Sequence, residues 1–164
     1  MSLERAAAYL RQFGRDGEIL EFPVSSATVE LAAQALHCEP ALIAKTLSFM
    51  GPNGPQLIVL AGDKKLDNKK YKALFHQKAK MLHGDEVESL IGHAIGGVCP
   101  FGVNEGIDVY LDSTLQRFAY VYPACGSSNS AIKLTPQELL ELSKAKGFID
   151  IAKDEAPASN APAA

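Results

Sequence analysis

The chain has 164 residues, enough for one domain with a sizeable core, and 47% of them are apolar, which excludes a disordered chain. Its formal net charge of −3 excludes a generally basic nucleic-acid binder. Cys38, Cys99 and Cys125 form no close pair, so the chain reads as a protein of a reducing cytoplasm and not as a disulfide framework. No apolar run approaches the ~20 residues of a membrane span, and MSLERAAAYLRQFGRDG lacks the apolar core of a secretory signal.

Ser2 is placed to cap a first helix with Leu3, Ala6, Ala7, Leu10 and Phe13 on one side, closed by Gly14. Residues 18–22 (EILEF) predict a short strand ended by Pro23. The cluster Ser25-Ser26-Ala27-Thr28 offers caps for a helix to about His37. Pro40 then suits the first turn of a short helix, EPALIAK. TLSFM and PQLIVLAG around GPNG predict a β-hairpin. A helix is expected over 67–76, a short strand over 79–82, and a helix from Asp85 to Gly92.

The loop GHAIGGVCPFGVNEG follows, and long ordered loops tend to be functional. GIDVYLD alternates as a half-buried strand should. RFAYVYPAC and SAIKL predict two more strands. Thr135-Pro136-Gln137-Glu138 is a capping box that opens a helix to about Lys146, with Gly147 as its stop. The tail AKDEAPASNAPAA, from about residue 152, reads as disordered. Helices and strands alternate irregularly, with adjacent strand pairs. The expected architecture is therefore a single mixed α/β domain over residues 1–151, not a doubly wound fold.

Four features bear on chemistry. Residues 64–80 hold seven lysines and one aspartate, a local charge of +6 on a remainder of −9. Such a run is either a wet helix face or a surface for phosphates. GGVCPFG matches no nucleotide-binding loop, and its glycines serve either a tight turn or backbone donors for a carbonyl. Cys99 reads as a small buried residue or as a nucleophile with His93 as its base. Lys45 is apolar on both sides in LIAKTLSFM, at an expected helix-to-strand junction. It either snorkels to water or serves as a fixed ammonium in a pocket. His37, His76, His83 and His93 fit no metal template, and no metal or other cofactor is expected.

In order, TVELAAQAL, CEPALIAKTLSF, LIVLAGDKKLD, GHAIGGVCPFG, IDVYLDSTL and ACGSSNSAIKLTPQEL resemble the YbaK/EbsC family of aminoacyl-tRNA editing domains. Such domains also occur inserted in bacterial prolyl-tRNA synthetases. The resemblance runs over residues 19–145, and its two most specific signatures are the lysine of IAKTL and the Gly-x-x-x-Pro loop at 96–100. It implies a free-standing trans-editing deacylase of a mischarged tRNA, often tRNA(Pro). It also implies a strongly curved, barrel-like mixed sheet with flanking helices. Lys45 would hold the substrate near its terminal adenosine. Gly96, Gly97 and Pro100 would position the ester, with the terminal ribose hydroxyl helping to activate water.

On the same resemblance, Phe22, Thr28, Thr46, Val98, Cys99, Phe101, Gly102, Ala124, Gly126 and Ser127 would surround the substrate. Lys64, Lys65, Lys69 and Lys70 would meet the tRNA backbone, with prolyl-tRNA synthetase as the implied partner. No DNA or membrane partner is implied. The best-known cysteine-editing members carry a tyrosine about where Phe22 stands and an aspartate about where Ala131 stands. Their absence points away from cysteine and toward a small residue such as alanine, serine or threonine. Two other readings are a non-catalytic tRNA- or synthetase-binding module, and a thiol hydrolase using Cys99 and His93.

Overall fold

The computed structural model describes residues 2–154, with the backbone alone at Ser2. The capping role expected of Ser2 and the tail at 155–164 lie outside the described atoms. Five α-helices are described: α1 (Ser2–Arg11), α2 (Val29–Leu36), α3 (Asn68–Phe75), α4 (Gly84–Ile91) and α5 (Pro136–Ser143). The strands are β1 (Leu20–Glu21), β2 (Ile43–Gly51), β3 (Gly54–Ala61), β4 (Asp108–Asp112), β5 (Tyr122–Pro123), β6 (Ser130–Ala131) and β7 (Phe148–Ile149). Among the described residues no helix is long and apolar enough to cross a membrane.

The predicted hairpin is the spine of the fold. β2 and β3 pair antiparallel from Ala44↔Ala61 to Gly51↔Gly54, around Pro52 and Asn53. The mixed sheet runs β5-β2-β3-β4-β7, and a two-stranded ribbon pairs β1 with β6. Among the described residues no pairing joins β5 to β7, and the sheet is an open mixed one. β3 is buried on both faces, and its alternate side chains feed two cores. Leu57 and Val59 meet α1, α4 and α5 through Leu10, Ile91 and Leu139. Ile58 and Leu60 join Phe49 and Tyr71 of α3 on the other face. A third, smaller cluster sets Ala32 and Ala33 of α2 against Ile43.

Several helix ends follow from side chains visible in the sequence. Thr28 caps α2 by accepting from the Leu31 N–H at 3.1 Å, and Asp67 caps α3. Thr135 and Glu138 form the expected capping box. His83, not Asp85, caps α4, with Glu86 bonding back to its N–H.

Several boundaries differ from expectation. The strand expected over 79–82 is reduced to a single bridge of Met81 with Phe49, and SAIKL forms a strand only at Ser130–Ala131. EPALIAK is not a helix: Pro40–Leu42 makes one 3₁₀ turn, and Ile43 and Ala44 are recruited into pairing with β5 and β3. Lys45 is therefore inside a strand and not at a junction. RFAYVYPAC forms a strand at Tyr122–Pro123 alone, flanked by single bridges at Val121 and Ala124. Its start is lost to the 3₁₀ turn Ser113–Arg117, and Pro123 lacks a ladder N–H. α5 stops at Ser143 because Lys144 turns left-handed, at φ 55°. Lys146 then donates to Val109 and leads into β7, which the sequence reading did not foresee.

The chain remains packed past residue 152, where the tail was expected to begin. Asp112, fully buried, accepts from the N–H groups of Ile151 at 3.0 Å and Ala152 at 2.9 Å. It also accepts from the Thr114 N–H at 2.9 Å and from the Thr114 hydroxyl. Asp112→Ala would orphan these donors inside the core. It is expected to destabilise the protein by about 3 kcal/mol in urea unfolding, because each unmet buried donor costs roughly 1–3 kcal/mol.

Candidate functional site

β2 has an outer neighbour at both ends and none between. Ile43 and Ala44 pair with β5. Farther along, Leu82 N–H donates to Ser48 O at 3.1 Å, and Met50 N–H to Lys80 O at 2.9 Å. Ladder groups alternate from side to side along a strand. Thr46 must therefore turn its N–H and C=O to the same outer edge, where no strand lies among the described residues. A cavity of about 360 Å³ occupies this gap.

Lys45 and Thr46 lie on its β2 wall. The Lys45 side chain shares the face of Ile43, which packs on α2, and of Phe49, which packs near α3. It thus emerges between the two helices. Lys45 is half-buried, and its ammonium makes no hydrogen bond or ion pair among the described residues. Burial holds its pKa below the ordinary lysine value, while Asp63 pulls it back up and Lys65 adds to the depression. The Thr46 hydroxyl is buried without a hydrogen-bond partner among the described residues.

The glycine-rich loop supplies the facing wall through Ile95, Gly96 and Val98. Gly96 sits at φ 91°, a left-handed region that favours glycine. Gly97 is required for another reason: a Cβ there would lie 2.6 Å from the Gly126 carbonyl carbon and 2.7 Å from Ser127 N. Gly126 and Ser127 are thus a shelf beneath the loop. The Gly97 N–H donates to Ala94 O at 3.0 Å, so it is not a donor for a substrate as expected. Gly96 and Val98 make no such backbone bond among the described residues.

Arg5 of α1 braces this loop. Its guanidinium donates to Gly102 O and, at 2.5 Å, to Asn104 Oδ1. Asn104 in turn donates to Ser89 O and Leu90 O at 3.0 Å, at the end of α4.

Of the expected site residues, Lys45, Thr46, Thr28, Gly96, Val98 and Ala124 line the cavity, as does Ala131. Cys99, Pro100 and Phe101 are buried behind the loop and do not line it. Phe22 lies in a separate shallow groove with Pro23, Val24 and Leu31. The β1–β6 pairing and the Asn129–Phe22 bonds hold it there, away from Ala131's side of the cavity. Sequence reading missed Met81 and Tyr122 as lining residues; their only signal was alternation within short expected strands.

Cys99 and His93 do meet, with Sγ 3.5 Å from Nε2. His93 Nε2 also lies 2.6 Å from Phe101 O, which must be accepting from an N–H. That nitrogen therefore has no lone pair for a thiol proton. Burial further pushes the Cys99 pKa up to about 12. This geometry does not make a thiol nucleophile.

The lysine-rich segment is divided. Lys64 is buried. Lys70 is bound at 2.8 Å to each of Asp150, Asp154 and Ala152 O, and these bonds raise its pKa. Lys65 and Lys69 are exposed.

Residues 24–142 match the model of the aminoacyl-tRNA editing domain. The chain is 52% identical over 156 residues to the uncharacterized protein YwhH of Bacillus subtilis (strain 168), covering 94% of this chain and 99% of that protein. It is 32% identical over 100 residues to a proline–tRNA ligase of Kosmotoga olearia, covering 60% of this chain and 17% of the ligase. A solved structure described as "a putative trans-editing enzyme for prolyl tRNA synthetase" is similar with a TM-score of 0.84 and 34% identity, covering 93% of this chain and 98% of that one.

Two outcomes follow from the packing behind the loop. Burial depresses the His93 pKa below the ordinary histidine value. His93 therefore supports stability that is complete above about pH 6.5 and is lost as pH falls through the lower folded value. His93→Gln should flatten that acid limb in melts taken from pH 7.5 to 5. Cys99 and Cys125, both fully buried with raised pKa values, should resist alkylation at pH 8 in the native state. Cys38, half-buried, should be labelled first by mass spectrometry.

Proposed function

This chain belongs to the aminoacyl-tRNA editing domain family, and from that premise we propose that it is a deacylase of mischarged tRNA. The observation that carries the reading is the meeting of Lys45 and Gly96, far apart in sequence, across one cavity. The substrate is proposed to be tRNA(Pro) carrying a small amino acid. The similarity to a proline–tRNA ligase supports the tRNA. The small side chains of Ala44, Ala124 and Ala131 along the cavity support a small acyl group.

An aminoacyl ester is already activated, so the protein's task is to position it and to polarise its carbonyl. Water adds to the ester carbonyl, the C–O bond to the terminal ribose breaks, and the ribose oxygen leaves with a proton. The Gly96 and Val98 N–H groups are the proposed donors to the developing oxyanion. Lys45, a cation without a protein hydrogen bond among the described residues, holds the nucleotide side of the ester. Gly97 and Pro100 act through the loop's shape, and Gly126 and Ser127 support it from below.

The test is a panel of tRNA(Pro) charged with alanine, serine, threonine, cysteine or proline. The wild type should hydrolyse at least one small misacylated ester well above the buffer rate and should spare prolyl-tRNA. Lys45→Ala should lose about 100-fold or more in kcat/KM, as expected for removing a main electrostatic contact. Equal activity in the variant, or tight tRNA binding with no turnover by wild type, would overturn the reading. Arg5→Ala should lower kcat by about tenfold with little change in KM, since it loosens the loop and not the substrate contacts. Ethylguanidinium should partly restore it.

A further inference from the structure

One side of the cavity mouth carries aromatic and basic side chains that ester hydrolysis does not require. Tyr122 pairs in register with Ile43, so it shares the sheet face of Lys45, and it lines the cavity. Outward from it, the Tyr120 ring lies 5.6 Å away and nearly perpendicular, at 81°. The exposed Lys133 ammonium sits 4.1 Å over the Tyr120 ring. Next along the chain, the Arg117 guanidinium covers Phe118 at 4.5 Å. Arg117 is anchored at 2.8 Å to Asp63, the acid that acts most strongly on Lys45. Outward from Lys45 the order is thus ring, ring, cation: Tyr122, Tyr120, Lys133.

The opposite rim differs. Met81 and Ile95 are 55% and 67% exposed there. The mouth is therefore polarised, with an apolar side by the glycine loop and a cationic, aromatic side by β5. In a chain of net charge −3, such a cluster is a local device and not general basicity.

We propose that the strip of Tyr122, Tyr120 and Lys133 binds the unpaired 3′ end of an RNA, stacking bases on its rings and meeting a phosphate with its lysine, while Arg117 stays committed to Asp63. The proposal rests on the deacylase reading for the direction in which that end enters: the esterified nucleotide at Lys45, its predecessors over the strip. Single-stranded RNA is held in this way because every base has a face that stacks and every linkage carries a charge. Lys133 is exposed, so it can yield the Tyr120 face to a base and turn to the adjoining phosphate. The strip, and not the segment 64–80, is then the main RNA surface. In that segment Lys64 is buried and Lys70 is committed to Asp150 and Asp154.

The experiment measures anisotropy of a labelled single-stranded RNA ending in CCA, and in parallel the hydrolysis of two esters. One is a mischarged tRNA and the other is the same amino acid esterified to adenosine alone. Tyr120→Ala and Lys133→Glu should each weaken RNA binding about tenfold and raise KM for the tRNA alike, whereas Tyr120→Phe should stay within about twofold of wild type. Lys133→Glu should also shallow the salt dependence by about 0.7 per lost phosphate contact. Cleavage of the adenosine ester should be unchanged, and the melting temperatures should match wild type. The proposal is overturned if both variants bind RNA like wild type. It is also overturned if the adenosine ester suffers as much as the tRNA, since the strip would then merely shape the cavity. If no ester is cleaved by any form, the deacylase reading fails, and the anisotropy series still decides the strip.

Discussion

The missing neighbour along the middle of β2 is the constraint on which the rest of the structure depends. A strand edge is an array of unsatisfied donors and acceptors, and folds cover such edges. Here β5 covers one end and residues 80–82 the other, leaving the Thr46 backbone open between them. The gap is held apart by well-packed ends, so it cannot close by sliding. A register shift of one residue would exchange Ile58 and Leu60 with Leu57 and Val59 between two different cores. The cavity persists because the hairpin that borders it is fixed by β3, whose residues 56–61 are all buried.

Around that gap, each part of the wall is stiffened from behind. Gly97 presses on Gly126 and Ser127 at a distance no side chain allows. Phe101 anchors the loop in the core, stacked 6.4 Å from Tyr9. Arg5 ties the loop's far end to α1 and, through Asn104, to α4. α1 lies outside the matched family span of residues 24–142, yet it contributes to the loop's support. His93 and Cys99, six residues apart and read as a candidate base and nucleophile, belong to this buried backing.

Much of the fold was legible because it rests on local chemistry. Thr28, Asp67 and Thr135 cap helices by side-chain bonds within a few residues, and GPNG admits a tight hairpin between two apolar runs. The failures have one physical cause. EPALIAK has good helix formers, but pairing of Ile43 with Tyr122 and of Ala44 with Ala61 outweighed that propensity. β7 was missed because its place beside β4 is set by Lys146 and Gly147 bonding to distant residues.

By itself the sequence determined the class of fold, the hairpin, most helix caps, and the pairing of interest between the lysine of IAKTL and the glycine-rich loop. These follow from residue type and spacing, which act over short stretches or as a recognisable order of motifs. Tertiary structure decided which members of each motif face the cavity. It kept Gly96 and Val98 at the wall and withdrew Cys99, Pro100 and Phe101 into the core. It set Phe22 in another groove, occupied Lys70 with carboxylates, and brought Tyr122 to the mouth. Such choices depend on which backbone groups and side chains find partners across long sequence separations, and no local pattern encodes that.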